Sequence, residues 1–115
     1  MKIWKKDTGV KFSNSSACFG YEYNPGSGKI DIATISIRDR FPEKGWGMLE
    51  ESHEMAVVIK GSGYILFKDG EKYDLEVGGV VYIEPGEWFC WGGNMDMVVP
   101  CGPAFNPDKH RLSED

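Results

Sequence analysis

Glu54-Met-Ala-Val-Val-Ile-Lys-Gly61-Ser-Gly63 and Gly78-Gly79-Val-Val-Tyr-Ile-Glu84-Pro85-Gly86 are the stretches whose reading decides the fold. Each is a short apolar run closed by turn residues. Such runs, rich in β-branched residues and bounded by Gly and Pro, form strands buried on at least one face. The same grammar repeats outward from them. Tyr64-Ile-Leu-Phe67 follows the first stretch, and Asp69-Gly70 predicts a two-residue hairpin turn with positive φ at both central positions. Lys72-Tyr-Asp-Leu75 is the return strand. Gly78-Gly79 turns into residues 80–83, Pro85-Gly86 into 87–91, and Gly92-Gly93 into 95–99. Upstream, residues 46–49 begin one strand and 30–37 form another. Ile30 and Ile32 share one face and Ile35 and Ile37 the other, a change of phase that implies a bulge or burial on both faces. Residues 2–12 read as an entering strand, and 13–28 as turn-rich. Short strands at near-regular spacing, without a sustained helical period, predict an all-β antiparallel barrel or sandwich.

A chain of 115 residues forms one domain, residues 1–115, by the usual relation of length to core. Fifteen glycines and six prolines fit many turns. A net charge of −5 argues against a general nucleic-acid binder, which needs a basic stripe. No apolar run is long enough to span a membrane, and Met1-Lys-Ile-Trp-Lys-Lys lacks the apolar region of a signal peptide, so a cytoplasmic location is expected. Cys18, Cys90 and Cys101 are odd in number and lack CxxC spacing; they read as reduced, packed thiols. Asn14-Ser-Ser16 matches a glycosylation pattern, but only by chance in a chain without a secretion signal. Gly26-Ser-Gly-Lys29 fails as a phosphate loop, because Tyr23 replaces its first glycine and Ile30 its magnesium-binding hydroxyl residue.

With the turns placed, the two opening stretches resemble the paired signature motifs of the cupin superfamily. The first motif is roughly G-x5-H-x-H-x3,4-E-x6-G, and Glu54 and Gly61 match its last two positions. Its histidine positions fall on Met48 and Glu50, or on Gly47 and Leu49, according to the spacer. The second motif is roughly G-x5-P-x-G-x2-H-x3-N and aligns in two registers. From Gly79, Pro85 and Asn94 match while Glu87 replaces a glycine and Cys90 the histidine. From Gly78, Gly86 keeps its turn position, Glu84 stands for the proline, Phe89 for the histidine and Gly93 for the asparagine. The second register is preferred, because a turn glycine has a backbone reason for its place. The resemblance covers roughly residues 30–110, including a Pro-rich ending at 103–110. It implies a cupin-type double-stranded β-helix, or jelly-roll, barrel with a binding site inside, and a homodimer. It does not choose a chemistry, since one fold hosts many.

Candidate site residues follow from the motif and from strand parity. The family's acidic position sends Glu54 inward, and period two then places Glu50 beside it, about two pleats or roughly 7 Å away. Two carboxyls in an apolar barrel raise each other's pKa and suit proton transfer. A metal held by Glu50, Glu54, Cys90 and His53 is the weaker alternative: His53 has the wrong parity and Cys90 faces inward only in the other register. His110 lies in the tail and is expected at the surface. Phe89 and Trp91 share one face, with Trp46 and Tyr82 as neighbours, giving an aromatic pocket for a small organic ligand such as a sugar. The expectation is thus a small-molecule-binding barrel without a histidine-held metal or other cofactor. The alternatives are a cofactor-free isomerase, epimerase or lyase using Glu54 and Glu50, and a sensor or interaction module.

Overall fold

The computed structural model describes residues 1–114. Its strands are β1 (Val10–Ser15), β2 (Cys18–Tyr23), β3 (Asp31–Arg38), β4 (Trp46–Leu49), β5 (His53–Phe67), β6 (Lys72–Glu76), β7 (Val80–Ile83), β8 (Phe89–Gly102) and β9 (His110–Ser113). A single 3-10 turn, Pro107–Lys109, precedes β9. All the strand pairings among these residues are antiparallel. No helix among them is long and apolar enough to cross a membrane.

β5 and β8 organise the barrel because each belongs to two layers. The first half of β5 pairs with β7 and with the end of β8, whose other side carries β3, β2 and β1. The second half of β5 pairs with β6 and with the start of β8, which continues into β4 and β9. Ile37, Val58, Ile65, Ile83, Met95, Met97 and Val99 fill the space between the layers. Strand alternation delivers them there: on β3 the odd residues Asp31, Ala33, Ile35 and Ile37 face inward, and on β5 Glu54, Ala56 and Val58 do.

Several local expectations need correction. Gly61-Ser-Gly63 does not stop a strand, and Gly92-Gly93 is not a turn between strands; both lie within β5 and β8. Gly61 (φ +77°) and Gly93 (φ +101°) bend these strands where they pass from one layer to the other, with Gly63 paired to Gly93. The isoleucine phase change in β3 comes with no bulge, since β3 pairs in continuous register with β2 and β8. Ile30 and Ile32 are simply exposed while Ile37 is buried. At the hairpin only Gly70 has positive φ; Asp69 instead accepts a hydrogen bond from the Glu71 N–H through Oδ1 at 2.9 Å. The first strand starts only at Val10, and β2 lies within the stretch read as turn-rich. Gly20 and Glu22 hid β2, whose aromatic residues Phe19, Tyr21 and Tyr23 occupy its outward face.

Candidate functional site

β3, β8 and β5 lie side by side, and their register sets three polar side chains in a row. Asp31 pairs with Cys101, and Cys101 pairs with Glu54. All three face inward and line a cavity of about 170 Å³. Glu22 on β2 pairs with Ala33 and so stands diagonal to Asp31, on the same face. Cys18 and Asn14 complete the polar wall from β2 and β1. Phe12, Phe41, Phe89, Trp91 and Phe105 supply an aromatic lining, with Met48 and Leu49 at the β4 side. Phe89 and Trp91 meet edge to face at 5.4 Å between centroids. His110, at the start of β9, closes the set with its ring 5.9 Å from that of Phe105.

The electrostatics follow from burial. Glu54 is only 9% exposed, and desolvation together with the charge of Asp31 pushes its carboxyl up to about 7, although the Cys101 thiol donates to it and pulls slightly back. Asp31 is also raised by burial; the backbone N–H of Phe105 and the Glu22 carboxyl donate to it and oppose the rise. Glu22 is raised by burial first, and then by the charge of Asp31 and the hydrogen bond between the two carboxyls. Burial pushes the Cys18 thiol up to about 11, and burial followed by the Glu54 charge pushes Cys101 well above its ordinary value. Both thiols are therefore protonated at neutral pH and are poor nucleophiles there. Burial lowers the pKa of His110, which keeps its imidazole neutral at pH 7.

The residues singled out from sequence divide between this cavity and the surface. Glu54, Phe89 and Trp91 line the cavity. Glu50 does not: β4 ends at Leu49, and a bend through Glu50 and Glu51 breaks the period-two count before β5 begins. Its carboxylate instead meets Arg111 Nε at 2.7 Å and Lys109 Nζ at 4.0 Å near the surface. The inward carboxyl partners of Glu54 are Asp31 and Glu22. Trp46 packs outside the cavity under the Arg40 guanidinium, 5.3 Å from its ring. Tyr82 is on the outer face, hydrogen-bonded at 2.7 Å to Nδ1 of the exposed His53. Cys90 is fully buried on the opposite face of β8 from Phe89 and Trp91, near Arg40. Glu50, Glu54, Cys90 and His53 thus do not converge, and among the described residues no three His, Cys, Asp or Glu side chains could hold a metal. The positions where the resemblance expects histidine ligands carry Gly47, Met48, Leu49 and Phe89 at the cavity, so the residues present do not fit a histidine-held metal. Contrary to expectation, His110 is at the cavity rather than at the surface, because β9 folds back along β4. Asp31 was legible in principle: it has the inward parity of Ile35 and Ile37. Glu22 and His110 depend on strand pairings that the sequence does not display.

No protein-family description matches the chain, and no characterised protein matches it by sequence. Solved structures do match in shape. The nucleoside dehydratase Pac13 of Streptomyces superposes with a TM-score of 0.84 at 17% identity, covering 98% of this chain and 91% of that one. The ectoine synthase of P. lautus matches at a TM-score of 0.74 and 16% identity, covering 98% and 90%. A Klebsiella pneumoniae protein described as having a double-stranded β-helix domain matches at 0.73 and 14% identity, over 100% and 99% of the two chains. The arrangement of β5 and β8 across two layers, together with these likenesses, gives this chain a double-stranded β-helix fold, as the resemblance implies.

Proposed function

We propose that the chain binds a small polar organic molecule inside its barrel, with Glu54 as the polar anchor. One observation carries this reading. A carboxyl nine-tenths withdrawn from water faces an aromatic-walled cavity, and a weakly donating thiol is the partner that its acidity registers. Burying such a group without strong partners is unfavourable, so a ligand that hydrogen-bonds it would recover much of that loss. Trp91 in the cavity wall provides the test. Titration with nucleosides, monosaccharides, amines and carboxylic acids should give saturable changes in Trp fluorescence for at least one class. Glu54→Gln should weaken that binding by roughly ten- to a hundredfold, the difference between a charged and a neutral anchor. Equal binding by the variant would make Glu54 structural and overturn this assignment.

A second reading has its own observation. A carboxyl poised near pH 7 both accepts and returns protons at neutral pH, as an acid–base catalyst requires. In an isomerase, epimerase or lyase reaction, Glu54 would take a proton from carbon beside a carbonyl. The C–H electron pair would form a carbon–carbon double bond while the carbonyl π pair moves onto oxygen, and Glu22, whose carboxyl is raised by burial, would donate a proton to that oxygen. The dehydratase and synthase among the shape neighbours support small-molecule chemistry on this fold, and neither fixes the substrate here. No step in this reading uses a metal or another cofactor.

The outer sheet face supports self-association. Tyr21, Thr34, Val98, Val57 and Val80 are successive neighbours across five strands, flanked by the exposed Ile32, Met55, Ile59 and Tyr82. Exposed apolar side chains of this number are unfavourable in water, and a second copy packed about a two-fold axis would cover them. Light scattering at tens of micromolar should give twice the chain mass, and Val80→Glu should give the monomer. A monomeric parent would refute this part of the reading.

A further inference from the structure

We infer that the ligand of the barrel is a small organic cation, an ammonium-bearing molecule with a compact apolar body. This deepens, and rests on, the binding role assigned to the Glu54 cavity. The chemistry of the walls is one-sided. Glu54 from β5, Asp31 from β3 and Glu22 from β2 face the space together. The other titratable groups there are the thiols of Cys18 on β2 and Cys101 on β8, and His110 on β9. Among the described residues no lysine or arginine lines the cavity. Glu54 is nine-tenths buried, and no lysine or arginine in the lining balances its negative charge when it ionises. Asp31, by contrast, already has donors in the Phe105 N–H and the Glu22 carboxyl. An anionic ligand would meet like charge in a poorly solvated space. A neutral polyol could donate hydrogen bonds but would leave the charge uncompensated. A protonated amine satisfies both requirements, through charge-assisted hydrogen bonds to Glu54 and Asp31.

The aromatic wall points the same way. Phe89 and Trp91 stand edge to face within the lining, and Phe41 and Phe105 are also exposed to the cavity. Ring faces attract a cation and also cover an apolar body, so carboxylate and aromatic walls cooperate on one ligand. The size is also limiting. A cavity of about 170 Å³ compares with the roughly 150 Å³ of an engineered cavity that admits benzene. A one-ring or short-chain amine therefore fits within it.

Three probes of one shape provide the test: benzylamine, benzyl alcohol and benzoate, each titrated by calorimetry and Trp fluorescence against the intact chain. At pH 8 benzylamine should bind at least roughly tenfold tighter than benzyl alcohol, with benzoate weakest. Benzylamine stays protonated between pH 6 and pH 8, so its affinity should follow the ionisation of Glu54. With that carboxyl at about 7, affinity should fall roughly tenfold from pH 8 to pH 6. Glu54→Gln should remove most of the preference for the amine and flatten its pH dependence. If benzyl alcohol or benzoate binds as tightly as benzylamine, the cation assignment is overturned while the binding role stands. If none of the three binds, and the wider ligand panel also fails, the binding role itself is overturned and the cation assignment falls with it.

Discussion

Gly93→Ala should destabilise the fold severely. Gly93 has φ +101°, a conformation that side-chain-bearing residues rarely adopt. A Cβ built there would lie 2.4 Å from the Cα of Gly63 and 2.8 Å from the Ser62 carbonyl oxygen. Both obstacles are backbone of the facing strand, in the long β5–β8 pairing. No side chain can rotate aside, so the strands must separate or one must shift register. Left-handed conformation costs about 1–2 kcal/mol for a non-glycine residue, and overpacking adds about 1–3 kcal/mol or more. A combined loss of about 4 kcal/mol is a large part of the roughly 5–15 kcal/mol that holds a typical domain together. Gly26→Ala is the matched control. Its φ is also positive, at +87°, but nothing lies within 4 Å of the added carbon. It should cost only about 1 kcal/mol, from the backbone term alone. Urea unfolding followed by circular dichroism compares the two. Equal midpoints for Gly93→Ala and Gly26→Ala would show that the close crossing of β5 and β8 does not limit stability.

That crossing also marks where the sequence is legible and where it is not. Turn residues between short apolar runs reveal an all-β barrel because Gly and Pro act locally. A glycine that bends a strand is the same letter as one that ends it; the difference lies in the strand that faces it. Gly63 and Gly93 are paired in space, 30 positions apart in sequence, and no local pattern announces it. The site divides in the same way. Glu54, Phe89 and Trp91 were readable because motif position and strand parity both act within one strand. Glu50 was misplaced because parity was carried across a bend that resets it. Asp31 had a local signal in the parity of β3. Glu22 and His110 reach the cavity only through the pairing of β2 with β3 and of β9 with β4. Long-range register assembles the acidic wall, and a single sequence records register poorly.

Glu54→Gln should stabilise the protein at pH 8 even as it weakens ligand binding. In the folded chain the Glu54 carboxyl is raised from its ordinary 4.5 to about 7, by desolvation first and the Asp31 charge second. The folded state therefore holds more protons than the unfolded state between those two values. Linkage then requires stability to fall as pH rises through this window. The favourable contribution of the protonated group is complete below about pH 4.5 and gone above about pH 7. At 1.36 kcal/mol per pH unit, the loss is about 3 kcal/mol. Glutamine has the same shape and does not titrate, so it escapes this loss. Imperfect pairing of its buried amide should leave a net gain nearer about 2 kcal/mol. For a chain of this size that raises Tm by about 8 °C at pH 8. At pH 4.5 parent and variant should melt within a degree or two of each other, since both are then neutral at this position. Thermal melts at the two pH values decide the matter. A variant that melts lower than the parent at pH 8, or gains equally at both pH values, would mean that Glu54 is not a desolvated carboxylate. The expected result links stability to function: a buried acid that destabilises the fold at neutral pH is what a ligand or a proton-transfer step would require at the heart of this cavity.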